Sequence, residues 1–245
     1  MRTFVTIKKS GTPLACAMML IIAATTAGHA VAQSSSQVNL NDIRQQQAGS
    51  QNRQDLDVGN VRGSGSSDVT AGSVSQTQSG SQNTQRMDIG NVHGSGSSRV
   101  SVGAAGQAQG GQQNIQGMDI GNVKNGGSSN VHVGTAKQGQ TGTFNNQQME
   151  LGNASDGGKT KVTVGSATQT QSGSSNDQRL KIGNARGGQT NVSVGSVNQT
   201  QSGAFNKGSV EIGNANGGNT SVSVGSVVQS QSGFGSENKI RIGNQ

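Results

Sequence analysis

The triplet [Ile/Leu/Val]-Gly-Asn recurs seven times along the chain at nearly constant spacing. Its asparagines are Asn60, Asn91, Asn122, Asn153, Asn184, Asn214 and Asn244. The step in numbering between successive copies is 31 in the first four intervals and 30 in the last two. Such a period is typical of one supersecondary unit that is repeated and stacked, because each copy then places like residues above one another. The period therefore predicts a repeat architecture, in which no single globular core forms.

Every unit also carries the motif Gln-x-Gly-x-x-Asn, whose Gly stands ten residues before the Gly of the triplet. The glutamines are Gln47, Gln78, Gln109, Gln140, Gln171, Gln201 and Gln231, and the glycines are Gly49, Gly80, Gly111, Gly142, Gly173, Gly203 and Gly233. The asparagines are Asn52, Asn83, Asn114, Asn145, Asn176 and Asn206, with Ser236 in the seventh unit. The motif glycines predict a tight turn in each unit.

Apolar and polar residues alternate on both sides of this turn, as in Val192–Val194 and Val210–Ile212. Alternation of this kind is the pattern of a β-strand. The last repeats are shorter by one residue, and the loss falls in the Gly- and Ser-rich stretch after the triplet, which predicts a loop there. A Gly at a change of parity, such as Gly195, predicts a bend. The chain is therefore predicted to be all-β, a repetitive β-solenoid of stacked strand-turn-strand rungs without helices in the mature chain.

The N-terminal segment, 1–32, has the pattern of a secretion signal. Arg2, Lys8 and Lys9 precede an apolar stretch that is short for a membrane span, and Ala30-Val31-Ala32 is a small-x-small cleavage site. We expect cleavage after Ala32. Cys16 lies inside the apolar stretch and is a poor candidate for a lipoprotein acceptor. The predicted organisation is a signal peptide (1–32), a short N-terminal segment (33–37) and seven repeats (38–245).

Composition excludes several functions of the mature chain. Loss of three basic residues, and of no acidic one, takes the formal net charge from +7 to +4. With no Tyr or Trp, and with three Phe after Ala32, the chain offers neither the charge nor the stacking platforms of a nucleic-acid surface. Without Cys or Pro after Ala32, it is predicted to lack disulfides and to keep every backbone N–H free for a sheet. No transmembrane segment is expected in the mature chain.

Four features of the chain together resemble the curlins, the subunits of the curli amyloid fibres of bacterial biofilms. They are the Gln-x-Gly-x-x-Asn motif, the flanking alternating strands, the secretion signal and the Gly/Ser/Asn/Gln-rich body. The resemblance covers Val38 to Asn244. It implies a secreted structural subunit that passes an outer-membrane pore and polymerises with itself at the cell surface, with a nucleator subunit as a further partner. Such fibres support biofilm matrix, surface adhesion and cell aggregation. The resemblance also implies that the Gln and Asn of the motif face inward and form amide ladders.

The composition of one repeat gives an independent reason to expect stacking. A unit of about 30 residues holds too few apolar side chains to offset the conformational entropy lost when it is ordered. Backbone and amide hydrogen bonds between rungs must supply the rest, and they exist only where another rung is present. The last rung is therefore expected to offer an unsatisfied strand edge to a further molecule.

Several alternatives were weighed against this interpretation. Disorder of the monomer, or of the chain throughout, is the usual meaning of such a composition, but it does not explain apolar residues at constant offsets. A monomeric β-solenoid adhesin that binds a glycan or a surface is the second candidate. It would need protected ends, and residues 242–245 predict no capping element.

Candidate chemical sites are weak. An acidic column at Asp57, Asp88, Asp119 and Glu150 could hold a cation, although a solvated outer face paired with Arg86 and Arg179 is preferred. His93 and His132 stand at different repeat positions, which argues against a metal site. A row of Ser and Thr between the paired Val residues is taken as polar filler and not as an ice- or glycan-binding array. We predict no enzyme, no catalytic residues and no cofactor.

Overall fold

The computed structural model describes residues 19–24, 34–50, 53–62, 65–94, 96–125, 127–156 and 159–243. Within these ranges every regular element is a β-strand and no helix occurs. The strands form two long sheets and one short sheet, in which like strands of successive repeats are neighbours. The predicted all-β solenoid is thereby confirmed.

The first sheet contains the long strand of each repeat. In order across the sheet the strands are β1 (Met19–Ala24), β2 (Ser34–Gln47), β5 (Gly65–Gln78), β8 (Gly96–Ala108), β11 (Gly127–Gln138), β13 (Lys159–Thr170), β15 (Thr190–Thr200) and β17 (Thr220–Ser230). From β2 onward all neighbours are parallel. Strand β1 precedes the repeats and pairs antiparallel with β2.

The second sheet contains the short strand that follows each long one. Its strands, all parallel, are β3 (Gln54–Val58), β6 (Gln85–Ile89), β9 (Gln116–Ile120), β12 (Gln147–Leu151), β14 (Gln178–Ile182), β16 (Gly208–Ile212) and β18 (Asn238–Ile242). A third sheet holds β4 (Val61–Arg62), β7 (Val92–His93) and β10 (Val123–Lys124), and single bridges at Ala154, Ala185 and Ala215 continue it. We call one long strand with its following short strand a rung. The first rung is then β2–β3 and the last is β17–β18.

The pairing register follows the sequence period. Val131 pairs with Val162, and Met149 pairs with Leu180, so each residue lies beside its own equivalent in the next repeat. We call such a stack of equivalent residues a column. The shortening of the last repeats by one residue leaves this register intact, because Lys161 still pairs with Asn191 across it. Identical side chains are therefore held about one strand spacing, roughly 4.8 Å, apart.

Each long strand from β5 onward passes through an unpaired Gly at the position where the side-chain parity changes, and β2 has Asn41 there. Val133 and Thr135 pair with the next rung, whereas Gly134 between them does not. A Cβ atom on Gly134 would lie less than 3.0 Å from the carbonyl oxygen of Gly103 in the preceding rung. The predicted bend is thus present, and its backbone approaches the neighbouring rung too closely for any side chain.

The Gly of the recurrent triplet forms a tight corner after each short strand. Gly152 has φ of +65°, and a Cβ atom there would lie less than 3.0 Å from Cγ2 of Val162. Both the conformation and the lack of space require Gly at this position. The corner brings the end of the short strand against the long strand of the next rung.

The core lies between the two long sheets. In one rung Val162, Val164 and Ala167 point inward from the long strand, and Leu180 and Ile182 point inward from the short one; all five are at most 1% exposed. The same five columns are apolar in every rung and form one continuous cluster, which the last rung joins through the partly buried Val222, Val224 and Val227. The apolar content of each rung is small, but stacking makes the core continuous.

The predicted signal peptide falls largely outside the described residues, and so does the predicted cleavage site at Ala32. Its described part is β1, which lies along the outer edge of β2 with Met19 opposite Gln46. Among the described residues, no helix has the length and apolar character needed to cross a membrane.

Candidate functional site: amide columns and the last rung

Between the apolar columns and the turn lies a buried column of the motif asparagines. Asn114 donates from Nδ2 to Oδ1 of Asn83 at 3.1 Å, and Asn145 donates in the same way to Asn114 at 2.9 Å. Asn176 continues the chain by donating to Asn145 at 2.9 Å. These amides therefore join consecutive rungs directly. Asn206 is buried in the same column, and Asn52 lies outside the described residues.

A second ladder runs through glutamines that the sequence analysis did not single out. Gln76 donates to Gln45 at 3.0 Å, Gln107 to Gln76 at 2.9 Å, Gln138 to Gln107 at 3.0 Å and Gln169 to Gln138 at 3.1 Å. The Nε2 atoms of Gln107, Gln138 and Gln169 also donate to the short strand, and Gln138 reaches the carbonyl of Gln148 at 2.9 Å. Hydrogen bonds of this column therefore link adjacent rungs and also link the two long sheets. Its sequence signature was available, since a Gln stands two residues before the motif Gln in every repeat.

The motif glutamines occupy the neighbouring column, beside the turn. Those from Gln78 to Gln201 are buried, while Gln47 and Gln231 in the end rungs are less so. Oriented to satisfy both of its atoms, the Gln140 amide bonds the backbone N–H and C=O of Asn146, each at 3.1 Å. Gln231 donates to the carbonyl of Glu237 at 2.9 Å. From Gln140 onward these side chains bond the backbone of their own turn, whereas amides of the Gln45 and Asn83 columns bond directly from rung to rung.

Two further amide columns were not anticipated. Gln54, Gln85, Gln116, Gln147 and Gln178 point inward at the start of the short strands and are buried, and Gln85 donates to Gln54 at 3.0 Å. At the corner, the triplet Asn of each of the first five repeats accepts at its Oδ1 from the backbone N–H of its equivalent one rung later. Asn153 N donates to Asn122 at 2.9 Å, and Asn214 N donates to Asn184 at 3.1 Å. The triplet therefore supplies a corner Gly and a stacking Asn together.

The motif glycines lie where the sequence placed them, in the turn between long and short strand. Five of the seven, Gly49, Gly80, Gly173, Gly203 and Gly233, have φ between +29° and +119°. The next residue is in the left-handed region in several units, as at Thr143 and Ala204. Each turn therefore needs a left-handed residue, although Gly does not always supply it.

The acidic column is partly buried and paired with arginine. Arg86 Nε lies 2.7 Å from Oδ2 of Asp88, and its NH2 group lies 3.7 Å from Asp119. Burial is the main cause that raises the pKa of Asp88 to about 7 and the pKa of Asp119 to about 6, and neighbouring carboxylates add to both. Further along, Lys181 lies 3.3 Å from Glu150. Across the described part of the chain, no three His, Cys, Asp or Glu residues are grouped to hold a metal ion.

The last rung differs from those before it because, among the described residues, no further strand pairs with β17 or β18 on their outer side. Ile240 and Ile242 of β18 are 48% and 42% exposed, whereas Val210 and Ile212, their equivalents one rung earlier, are 0% exposed. Gln229 and Gln231, in the ladder and turn columns, are likewise not buried. An inward set of apolar and amide side chains is thus presented to solvent at this end.

In comparisons with known proteins, no family model, curated protein or solved structure matches the chain.

Proposed function

We propose that this chain is a structural subunit of a self-assembling extracellular fibre of the curli type, which grows as the last rung of one molecule receives the first rung of another. The observation that carries the proposal is the exposed last rung. Its apolar positions continue the columns that are buried in the preceding rungs, in the same register. An added copy would bury this surface in a register that the chain already uses six times.

The free energy of such an addition would come from three sources that operate within the chain. The backbone edge of β17 and β18 would gain parallel strand partners, the apolar columns would lose their contact with water, and the amide ladders would gain one more step. Ordered amide columns and an in-register parallel sheet are the features that stabilise cross-β assemblies. The resemblance to the curlins supports an extracellular location, a secretion pore and a nucleator as partners, and a role in biofilm matrix and adhesion.

Fibre diffraction of the purified chain that begins at Gln33 tests the proposal. We expect thioflavin-positive fibres with a reflection near 4.7–4.8 Å along the fibre axis. A chain that remains monomeric and dye-negative at high concentration for days would contradict the proposal. That outcome would favour the second candidate, a monomeric adhesin, which has the same solenoid but no need for assembly.

A further inference from the structure

The outward side chains of the two end rungs carry charges of opposite sign at equivalent positions. On β3 these positions are Arg53, Asp55 and Asp57, and in the full chain Asp55 is buried and bonded to Arg53 at 3.0 Å. On β18 they are Glu237, Lys239 and Arg241. Extending the observed register by one step places β3 of a second copy beside β18, with Lys239 opposite Asp55 and Arg241 opposite Asp57. The residue before each strand follows the same stacking, which places Glu237 opposite Arg53.

We infer that these residues form a head-to-tail docking site for a second copy of this chain, with three ion pairs that set the polarity and register of the junction. The inference rests on the proposed function and names the partner surface of that site. All charged residues in the two segments, 53–58 and 237–242, have an oppositely charged counterpart across the junction. The apolar columns agree with the same register, since Ile240 would meet Leu56 and Ile242 would meet Val58.

Pairs of this kind already occur inside the solenoid. In the column that contains Asp57 and Arg241, Lys181 lies 3.3 Å from Glu150 in the preceding rung, and Arg241 lies 3.5 Å from Glu211. The spacing of adjacent rungs is therefore suited to a bridge between Arg241 and an acidic residue on either side of it.

Charge complementarity is not a general property of adjacent rungs. The same column stacks Asp57, Asp88, Asp119 and Glu150 in succession, so like charges are neighbours through the first four rungs. In the last three rungs two of the three positions alternate in sign, as in Lys181, Glu211 and Arg241, but the third contains the uncharged Ser209. Opposite signs at all three positions therefore arise at the contact between the last rung and the first and at none of the contacts inside the solenoid. The long strands add no competing charge, because β17 contains no charged residue.

The first rung is covered in the full chain. Strand β1 lies against the outer edge of β2, and Leu56 and Val58 are 0% exposed although β3 is an edge strand. The predicted cleavage after Ala32 would remove β1. The junction is therefore tested both with the full chain and with the chain that begins at Gln33, which keeps all seven rungs.

The experiment measures seeded elongation of two charge-reversed variants and of their mixture. The tail variant is E237K/K239E/R241E and the head variant is R53E/D55K/D57K. Each alone would place like charges at all three junction positions, and we expect its elongation rate at low ionic strength to fall by about tenfold or more. Mixed in equal amounts, the two variants are complementary at both kinds of junction and are expected to elongate at close to the wild-type rate as an alternating copolymer.

K161E is the matched control. It changes the net charge by the same two units as the tail variant, on an exposed position of an interior rung whose neighbours are the uncharged Asn130 and Asn191. We expect it to elongate normally. The defect of each reversed variant should also shrink between 0.05 and 1 M salt, since screening shortens the range of these interactions from roughly 14 Å to about 3 Å.

Recovery in the mixture shows that both variants fold and remain competent to assemble, so a defect of each alone cannot be attributed to misfolding. The inference is overturned if the reversed variants elongate like wild type, or if the mixture elongates no faster than either variant. Both outcomes presuppose wild-type fibres. Failure of the wild-type chain to form fibres at all would instead refute the proposed function.

Discussion

Replacing Gln138 by Met is the sharpest test of the amide ladder. Met nearly matches the volume and flexibility of Gln but cannot take part in amide hydrogen bonds. In the structure, Gln138 donates to Gln107 at 3.0 Å and to the carbonyl of Gln148 at 2.9 Å, and it accepts from Gln169 at 3.1 Å. The side chain is 2% exposed, so water cannot replace these partners without opening the stack.

The substitution leaves one buried acceptor, the Gln107 Oε1, without its donor, and the Gln148 carbonyl loses one donor but stays within the parallel pairing of β12 with β9. Gln169 loses one of its two acceptors but keeps the carbonyl of Arg179 at 3.0 Å. An unsatisfied buried polar group costs about 1–3 kcal/mol, and the lost bond to the Gln148 carbonyl adds to this. The apolar Met side chain offsets part of the loss through its own burial, and we therefore expect about 1–3 kcal/mol in total.

The loss is measured as the shift in the urea midpoint of the folded chain, followed by the β-sheet circular dichroism signal. Gln113→Met is the control, because Gln113 is exposed in the neighbouring turn and its substitution should shift the midpoint negligibly. Equal midpoints for the two variants would refute the view that the buried amide column stabilises the stack.

The remaining predictions concern the corner glycine, the acidic column, the leader and the junction register. Gly152→Ala should destabilise the chain by about 2–4 kcal/mol, because Gly152 has a positive φ and the added Cβ would collide with Val162. Gly106→Ala is the control and should not destabilise the chain, since nothing lies within 4 Å of its added Cβ. Thermal denaturation of the two variants measures the difference. The pKa of Asp88 is raised from 3.8 to about 7, so folding favours the protonated form of this carboxyl. The free energy of unfolding should therefore fall by on the order of 2 kcal/mol as pH rises from about 4 to 7, and then level off. Urea midpoints for the wild type and D88N should differ at pH 8 and converge at pH 4. The full chain should assemble more slowly than the chain that begins at Gln33, because β1 lies on the edge of β2; equal lag times in a dye-binding assay would contradict this. In the chain that begins at Gln33, D57C/R241C should oxidise to covalent multimers only after assembly, whereas D57C/K239C, two residues out of register, should not; gel electrophoresis without reductant separates the outcomes.

The architecture was predictable because the same sequence pattern occurs in seven copies at nearly constant spacing. Strand, bend, turn and corner each follow from a residue that recurs at a constant offset. A position that is atypical in one repeat can therefore still be interpreted from the other six. The alternation around Val192 and Val194 gave the inward face directly, since both are buried. Such redundancy is what a single globular domain lacks.

The partner of each buried amide could not be predicted in the same way. The repeat spacing shows that Gln138 and Gln140 both recur in every unit and that their side chains point to the same side of the strand. It does not show which of the two bonds to the neighbouring rung and which bonds to its own turn. The difference depends on the distance of each side chain from the turn. Gln140 stands close enough to bond the backbone of Asn146, whereas Gln138 faces its copies and the short strand.

The acidic column and the end charges have opposite effects on the same stack. Burial, and to a lesser degree the neighbouring carboxylates of the column, raises the pKa values of Asp88 and Asp119, so the first rungs lose stability as these groups ionise towards neutral pH. The order along the column changes at Lys181, and the last member, Arg241, is basic. A second copy that docks its Asp57 on Arg241 therefore meets attraction where another acidic residue would have met repulsion. A column that ended in a carboxylate in place of Arg241 would have the same fold but would oppose its own extension.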